Sequence, residues 1–146
     1  MNLFNEFEKE VKAVIADLSN DGKLPAAVDV TKVTVESPRD PSHGDLATNA
    51  AMVLSKQAGM NPRALAEILA EGIETIHDVK SVEIAGPGFV NIFLKQKVWQ
   101  DVLHSVYAAG TDFGKSTIGK GKKVMVEFVS ANPTGPLTVG HGRNAV

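Results

Sequence analysis

The stretch VKSVEIAGPGFVNIFL, Val79–Leu94, decides what fold this chain can take. Two β-rich runs, Val79–Ala85 and Phe89–Leu94, flank Gly86-Pro87-Gly88, so the segment predicts a hairpin or a tight corner between two strands. In the second run, alternation sends Val90, Ile92 and Leu94 to one face and Phe89, Asn91 and Phe93 to the other. An amide set among so much apolar surface needs a partner. Asn91 therefore bonds a neighbouring loop, lies on an exposed sheet face, or belongs to a platform where a nucleotide base stacks on rings and hydrogen-bonds to an amide. Pattern alone favours the first two readings.

Outward from the hairpin, the periodicity becomes helical on both sides. Leu3, Phe4, Phe7, Val11, Val14, Ile15 and Leu18 recur at helical spacing until Asn20-Asp21-Gly22 stops the run. KVTVES predicts a short strand with Val33 and Val35 on one side, and PRDPSHGD a turn-rich loop. Asp45 then stands where it can cap a helix over LATNAAMVLSKQAG that Gly59 ends. Asn61-Pro62 caps the next helix, with Leu65, Ile68, Leu69, Ile73 and Ile76 on one face. After the hairpin, Val98, Trp99, Val102, Leu103 and Val106 mark a further amphipathic helix. Helices gathered around hairpin-type strands predict an α+β fold, an antiparallel sheet covered by helices.

Near Gly110 the texture changes. GTDFGKSTIGKGKK has no apolar periodicity and is rich in Gly and Lys, as a linker is. Residues 1–110 therefore form one expected domain, 111–122 a linker, and 123–146 the beginning of a second domain. That second part opens on an apolar, β-branched run, Lys123–Val129, that predicts a buried strand.

The composition fits a soluble globular chain: 146 residues, 43% hydrophobic and 22% charged, with no Cys. Without thiols there is no disulfide framework and no thiolate metal site. No apolar run approaches the roughly 20 residues of a membrane span, and the acidic N-terminus is unlike a signal peptide, so the expectation is a cytoplasmic protein. The net charge of −2 hides an asymmetry. Residues 1–110 carry 10 Lys+Arg against 15 Asp+Glu, whereas residues 111–146 carry 5 against 2. The global field of the first part opposes phosphates, so any nucleic acid must be met there through local polar contacts.

Two apparent sites dissolve on inspection. GTDFGKS imitates half of a phosphate-cradling P-loop, but Ala109 stands where the first glycine belongs and the segment follows a helix rather than a strand. His43-Gly44-Asp45 reads as turn and cap, and His77 and His104 are isolated, so no protein-bound metal is expected.

The stretch EFVSANPTGPLTVGHGRNAV, residues 127–146, is more specific. Strand, turn and helix start in that order place backbone N–H groups where phosphates bind in α/β folds. Gly140 admits a ligand close to the main chain, and His141 supplies a donor beside developing phosphate charge. This stretch closely resembles the nucleotide-binding signature of class I aminoacyl-tRNA synthetases, specifically of the arginyl-tRNA synthetase family. There, a His-x-Gly-His tetrapeptide opens a helix at the end of the first Rossmann strand. GDLATNAAMVLSK and AGPGFVNIFL resemble segments of the same family's N-terminal additional domain. The resemblance spans nearly the whole chain and is strongest near 44–56, 85–94 and 127–146.

The resemblance implies an N-terminal fragment of an arginine–tRNA ligase: a domain that touches the D-loop of tRNA, followed by the first strand and turn of a truncated Rossmann-like catalytic domain. Such a fragment is expected to be inactive alone, and its partners are implied to be tRNA(Arg), L-arginine and ATP with Mg²⁺, in a monomer. Carried over position by position, the ATP-binding signature falls on Ala131, Asn132, Pro133, Thr134, Gly135, Pro136, Leu137, Thr138, Val139, Gly140 and His141, with Thr138 and His141 as the catalytic pair. Glu127, Ser130 and Asn132 fall where the family holds arginine, and Asn91 and Gln96 where it touches tRNA. Thr138 departs from the family by replacing the first signature His with a hydroxyl that cannot carry charge. Readings from other classes are a stand-alone RNA-binding or protein-interaction module and a nucleotidyltransferase with a similar His signature.

Overall fold

The structure is a computed structural model and describes residues 2–132 and 134–143. It divides into two compact units, Met1–Gly110 and Thr111–Val146. The first opens on helix α1, Leu3–Asn20, whose N-terminus is capped by Asn2 accepting the Asn5 N–H. Its 3.6-residue stripe buries Phe7, Val11, Val14, Ile15 and Leu18, while Phe4 at the rim of the stripe stays exposed. Strand β1, Val35–Glu36, follows, with Val33 and Val35 both buried.

The next segment corrects the expected helix from Leu46. Leu46–Thr48 is a strand, β2, and helix α2 begins only at Ala50 and runs to Ala58. Asp45 caps no helix; its Oδ2 accepts the Leu94 backbone N–H at 2.7 Å. The physical reason is non-local. Leu46, Ala47 and Thr48 pair with Ile92, Asn91 and Val90, which buries Leu46 and Thr48 completely and satisfies backbone groups that a helix start would have left open. Asn49, just before α2, is committed elsewhere as well: its Oδ1 accepts the Thr34 N–H and its Nδ2 donates to the Lys32 carbonyl.

Helix α3, Pro62–Ile73, is capped as expected by Asn61, whose Oδ1 accepts the Arg63 N–H at 2.9 Å, with Pro62 in the first turn where its missing N–H costs nothing. The hairpin forms over β3, Val79–Ala85, and β4, Phe89–Leu94, in the register Ala85↔Phe89, Ile84↔Val90, Glu83↔Asn91. Helix α4, Gln96–Ala109, buries only Val98 and leaves Trp99, Leu103 and Tyr107 exposed.

The four strands make one antiparallel sheet in the order β1-β2-β4-β3. Its inner face, with Val35, Leu46, Val90 and Ile92, joins the stripes of α1, α2 and α3 in a single core. The fold is thus α+β with a helix-covered antiparallel sheet.

In the second unit the expected buried strand does not form. Residues 123–129 form no strand, and Val124, Met125, Val126 and Phe128 are each between 65% and 88% accessible. A buried strand needs ladder partners on its edges, and none is present among the described residues of this unit. Val129 also takes φ +56°, a left-handed conformation rare for a β-branched residue and incompatible with a strand. The only described helix after Gly110–Asp112 is the short α5, Val139–Gly142.

Candidate nucleic-acid interface

The register of the sheet builds the site. Glu36 lies opposite Ala47, Ala47 opposite Asn91, and Asn91 opposite Glu83, so these four residues form one row across β1, β2, β4 and β3. The row lies on the outer face, turned away from the helices, together with Phe89 and Phe93. The Ser37–His43 loop rises beside this face, held by Asp40, whose carboxylate accepts the Ser42 N–H at 2.9 Å. Hydrogen bonding from Ser42 holds the Asp40 carboxyl below its ordinary range, so the group is a firm anion. Loop and sheet enclose a concavity of about 760 Å³ whose lining includes Glu36, Arg39, His43, Ala47, Phe89 and Asn91.

Asn91 is the informative member. The residue is only 4% accessible, yet its side chain makes no hydrogen bond among the described residues. No fully enclosed polar side-chain atom is left without a partner, so the amide head is not sealed in but opens into the concavity. The small Ala47 beside it leaves the amide accessible, and the Phe89 ring, 42% exposed, stands two residues away on the same face. A flat group with hydrogen-bonding edges, such as a nucleobase, matches this combination of ring and amide. Glu36 and Glu83 at the ends of the row repel phosphate and accept hydrogen bonds from amino groups. Asn91 thus lies on the outer side of the sheet beside an aromatic ring, but it is buried there rather than on an exposed face.

Gln96, the other residue assigned to tRNA, is exposed at the start of α4 and does not line the concavity. The loop residues Arg39 and His43 do line it, and the sequence reading did not place them there. A turn-rich loop signals exposure but not which surface it will face. A smaller hollow of about 250 Å³ between the beginnings of α1 and α4 has Glu6, Glu10, Asp78 and Asp101 in its lining and none of the residues assigned from sequence to ATP, arginine or tRNA. Among the described residues no three His, Cys, Asp or Glu side chains could hold a metal ion together, and no helix is long and apolar enough to cross a membrane.

In the second unit, Thr138 and His141 are brought together. Thr138 precedes α5, and its backbone N–H donates to His141 Nδ1 at 2.9 Å while its Oγ1 lies 3.2 Å from the same nitrogen. An Nδ1 that accepts a hydrogen bond carries no proton of its own, so Nε2 bears the N–H, and it bonds no other group among the described residues. Gly140 is exposed beside this pair. Glu127, Ser130 and Asn132 are exposed and share no hydrogen bond with one another, and the Thr134 N–H donates to the Asn132 carbonyl in a turn. Ala131 is half-buried, Gly135, Pro136, Leu137 and Val139 are exposed, and Pro133 lies outside the described residues.

Comparison with known proteins adds sequence relatives to this geometry. Residues 5–94 match the family model described as the arginyl tRNA synthetase N terminal domain. The chain is 54% identical over all its 146 residues to an arginine–tRNA ligase of Cereibacter sphaeroides and 51% identical to one of Rhodospirillum rubrum. It spans about 25% of the length of each of these curated relatives. Among solved structures, an arginyl-tRNA synthetase from Plasmodium falciparum superposes on 72% of the chain and 18% of its own length, with a TM-score of 0.59 at 14% identity, a likeness of fold.

Proposed function

Because the chain belongs to the arginyl-tRNA synthetase N-terminal domain family, we propose that its first 110 residues hold tRNA(Arg) at the D-loop through the outer face of the sheet. The observation that carries this reading is the Asn91 amide, nearly buried as a residue yet unbonded and open to the concavity beside Phe89. One unstacked base lies against the Phe89 ring and bonds its edge to Asn91, while exposed Gln96 meets a neighbouring nucleotide. Recognition is local, because the acidic balance of residues 1–110 supplies no general attraction for phosphates.

In the complete synthetase, a monomer acting in the cytoplasm, the segment 123–146 is the beginning of the catalytic domain. Residues Ala131–His141 face ATP, bound with Mg²⁺, and Glu127, Ser130 and Asn132 face arginine. The arginine carboxylate attacks the α-phosphate, pyrophosphate leaves, and the arginyl group passes from the adenylate to the 3′ end of tRNA. The work of the protein in the first step is to stabilise charge on the transferring phosphate. One strand-like segment and one helical turn cannot enclose ATP, so the 146-residue chain alone forms no adenylate.

The test is the Asn91→Ala variant of the 146-residue chain, with tRNA affinity and thermal unfolding measured together. Loss of one base hydrogen bond should weaken tRNA binding by about 1–2 kcal/mol and leave the unfolding temperature unchanged, because no intramolecular bond is lost. Unaltered tRNA binding, or a variant that melts early, would overturn this role for Asn91.

A further inference from the structure

The acidic first unit raises a question of energetics. A protein that neutralises phosphates gains affinity by releasing counterions, and this term usually dominates nucleic-acid binding. Residues 1–110, with five more acids than bases, cannot supply it. The structure concentrates positive charge instead in the segment 115–123. Lys115 is neutralised by its ion pair with Asp112. Lys120, Lys122 and Lys123 are exposed, and none forms an ion pair among the described residues.

Two overlapping turns carry Lys120 and Lys122, and Lys123 follows directly: the Lys120 N–H donates to the Thr117 carbonyl at 2.9 Å and the Lys122 N–H to the Gly119 carbonyl at 2.9 Å. Gly121 at φ +80° permits the second turn to continue into Lys123. Between Asp112 and Glu127 the segment carries no acid. We propose that Lys120, Lys122 and Lys123 form an electrostatic clamp on the sugar–phosphate backbone of RNA, which provides the sequence-independent affinity that the sheet face lacks. The identity of that RNA as tRNA rests on the function proposed above; the clamp itself requires only a phosphate backbone.

The experiment uses the 146-residue chain and a variant with Lys120→Gln, Lys122→Gln and Lys123→Gln together, with a Lys→Arg triple variant as charge-preserving control. Binding to labelled tRNA, to a simple RNA hairpin and to polyglutamate is followed by fluorescence anisotropy between 50 and 200 mM KCl. Three lost phosphate contacts should reduce the slope of log K against log salt by about 2.1–2.7 for both RNAs, so the parent chain loses about 20- to 40-fold more affinity across that range than the Gln variant. The Arg variant should keep the parent slope.

An unchanged slope in the Gln variant, or no detectable binding of the parent chain to either RNA, overturns the clamp. Polyglutamate binding as tight as hairpin binding also overturns it, in favour of an acidic protein partner. If the slope falls as expected while Asn91→Ala leaves tRNA binding intact, the clamp stands and the sheet-face reading fails. If Asn91→Ala weakens tRNA binding but the slope holds, the reverse is true.

Discussion

Asp45 Oδ2 accepts the backbone N–H of Leu94 at 2.7 Å, across 49 residues of sequence. The Asp45 N–H in turn donates to the Ile92 carbonyl at 3.0 Å. This pair of bonds extends the β2–β4 ladder by one residue and anchors the loop that walls the concavity. Because the acceptor is an ionised carboxylate in a part-buried setting, Asp45→Ala should destabilise the first unit by about 1.5–3 kcal/mol. Asp45→Asn keeps an acceptor and should cost less. Urea denaturation of both variants at pH 7 checks the order, and equal losses would show that a neutral acceptor contributes nothing and that the bond depends on the charge.

Gly44 adopts φ +96°, and a Cβ placed there would stand 2.9 Å from the Ile92 carbonyl oxygen. Strain and collision act together at this position, so Gly44→Ala should cost about 3 kcal/mol. Gly86, at φ +54° in the hairpin turn, has open space around the same atom. Only the left-handed conformation is penalised there, and Gly86→Ala should cost about 1 kcal/mol. Thermal unfolding of the two variants should separate them by several degrees; a Gly86 change as damaging as the Gly44 change would refute the steric argument.

In a complete synthetase carrying this sequence, His141→Ala should reduce adenylate formation more than Thr138→Ala. Nε2–H of His141 bonds no group among the described residues, and a bond from it to an ionised phosphate oxygen would be charge-assisted, whereas the Thr138 N–H is engaged with His141 Nδ1. Loss of one transition-state donor typically costs about 10² to 10³ in rate, and the Thr138 change should stay within about tenfold, both mainly in kcat. Steady-state adenylate formation at saturating tRNA is the measurement. A larger loss at Thr138 would mean that its hydroxyl carries the role assigned here to His141.

Asp29 accepts from Thr31 twice, from Oγ1 at 2.6 Å and from the backbone N–H at 2.9 Å. These bonds, the side-chain one first, hold the Asp29 carboxyl below its ordinary value. A lowered folded-state pKa means that the turn is favoured above the ordinary aspartate range and loses that contribution as pH falls through the lowered value. Thr31→Val should move the Asp29 midpoint upward in an NMR titration. An unmoved midpoint would show that the hydroxyl bond is not populated in solution.

Sequence by itself determined what depends on near neighbours. The stripe of α1, the Asn61-Pro62 start of α3 and the hairpin around Gly86-Pro87-Gly88 each follow from residues within a few positions of one another, where periodicity and cap chemistry act. The alternation in β4 also showed that Asn91 would leave the core face. Only the tertiary structure decided that Leu46–Thr48 is a strand, because β4 offered it a ladder and a buried face that outweighed the local cap signal of Asp45. Lys123–Val129 is the converse: its residues suit a strand, but a strand is stable only when another supplies hydrogen bonds, and this unit supplies none among its described residues. Tertiary structure likewise brought Arg39 and His43 to the concavity that holds Asn91, since the side a loop turns to depends on the sheet it closes against.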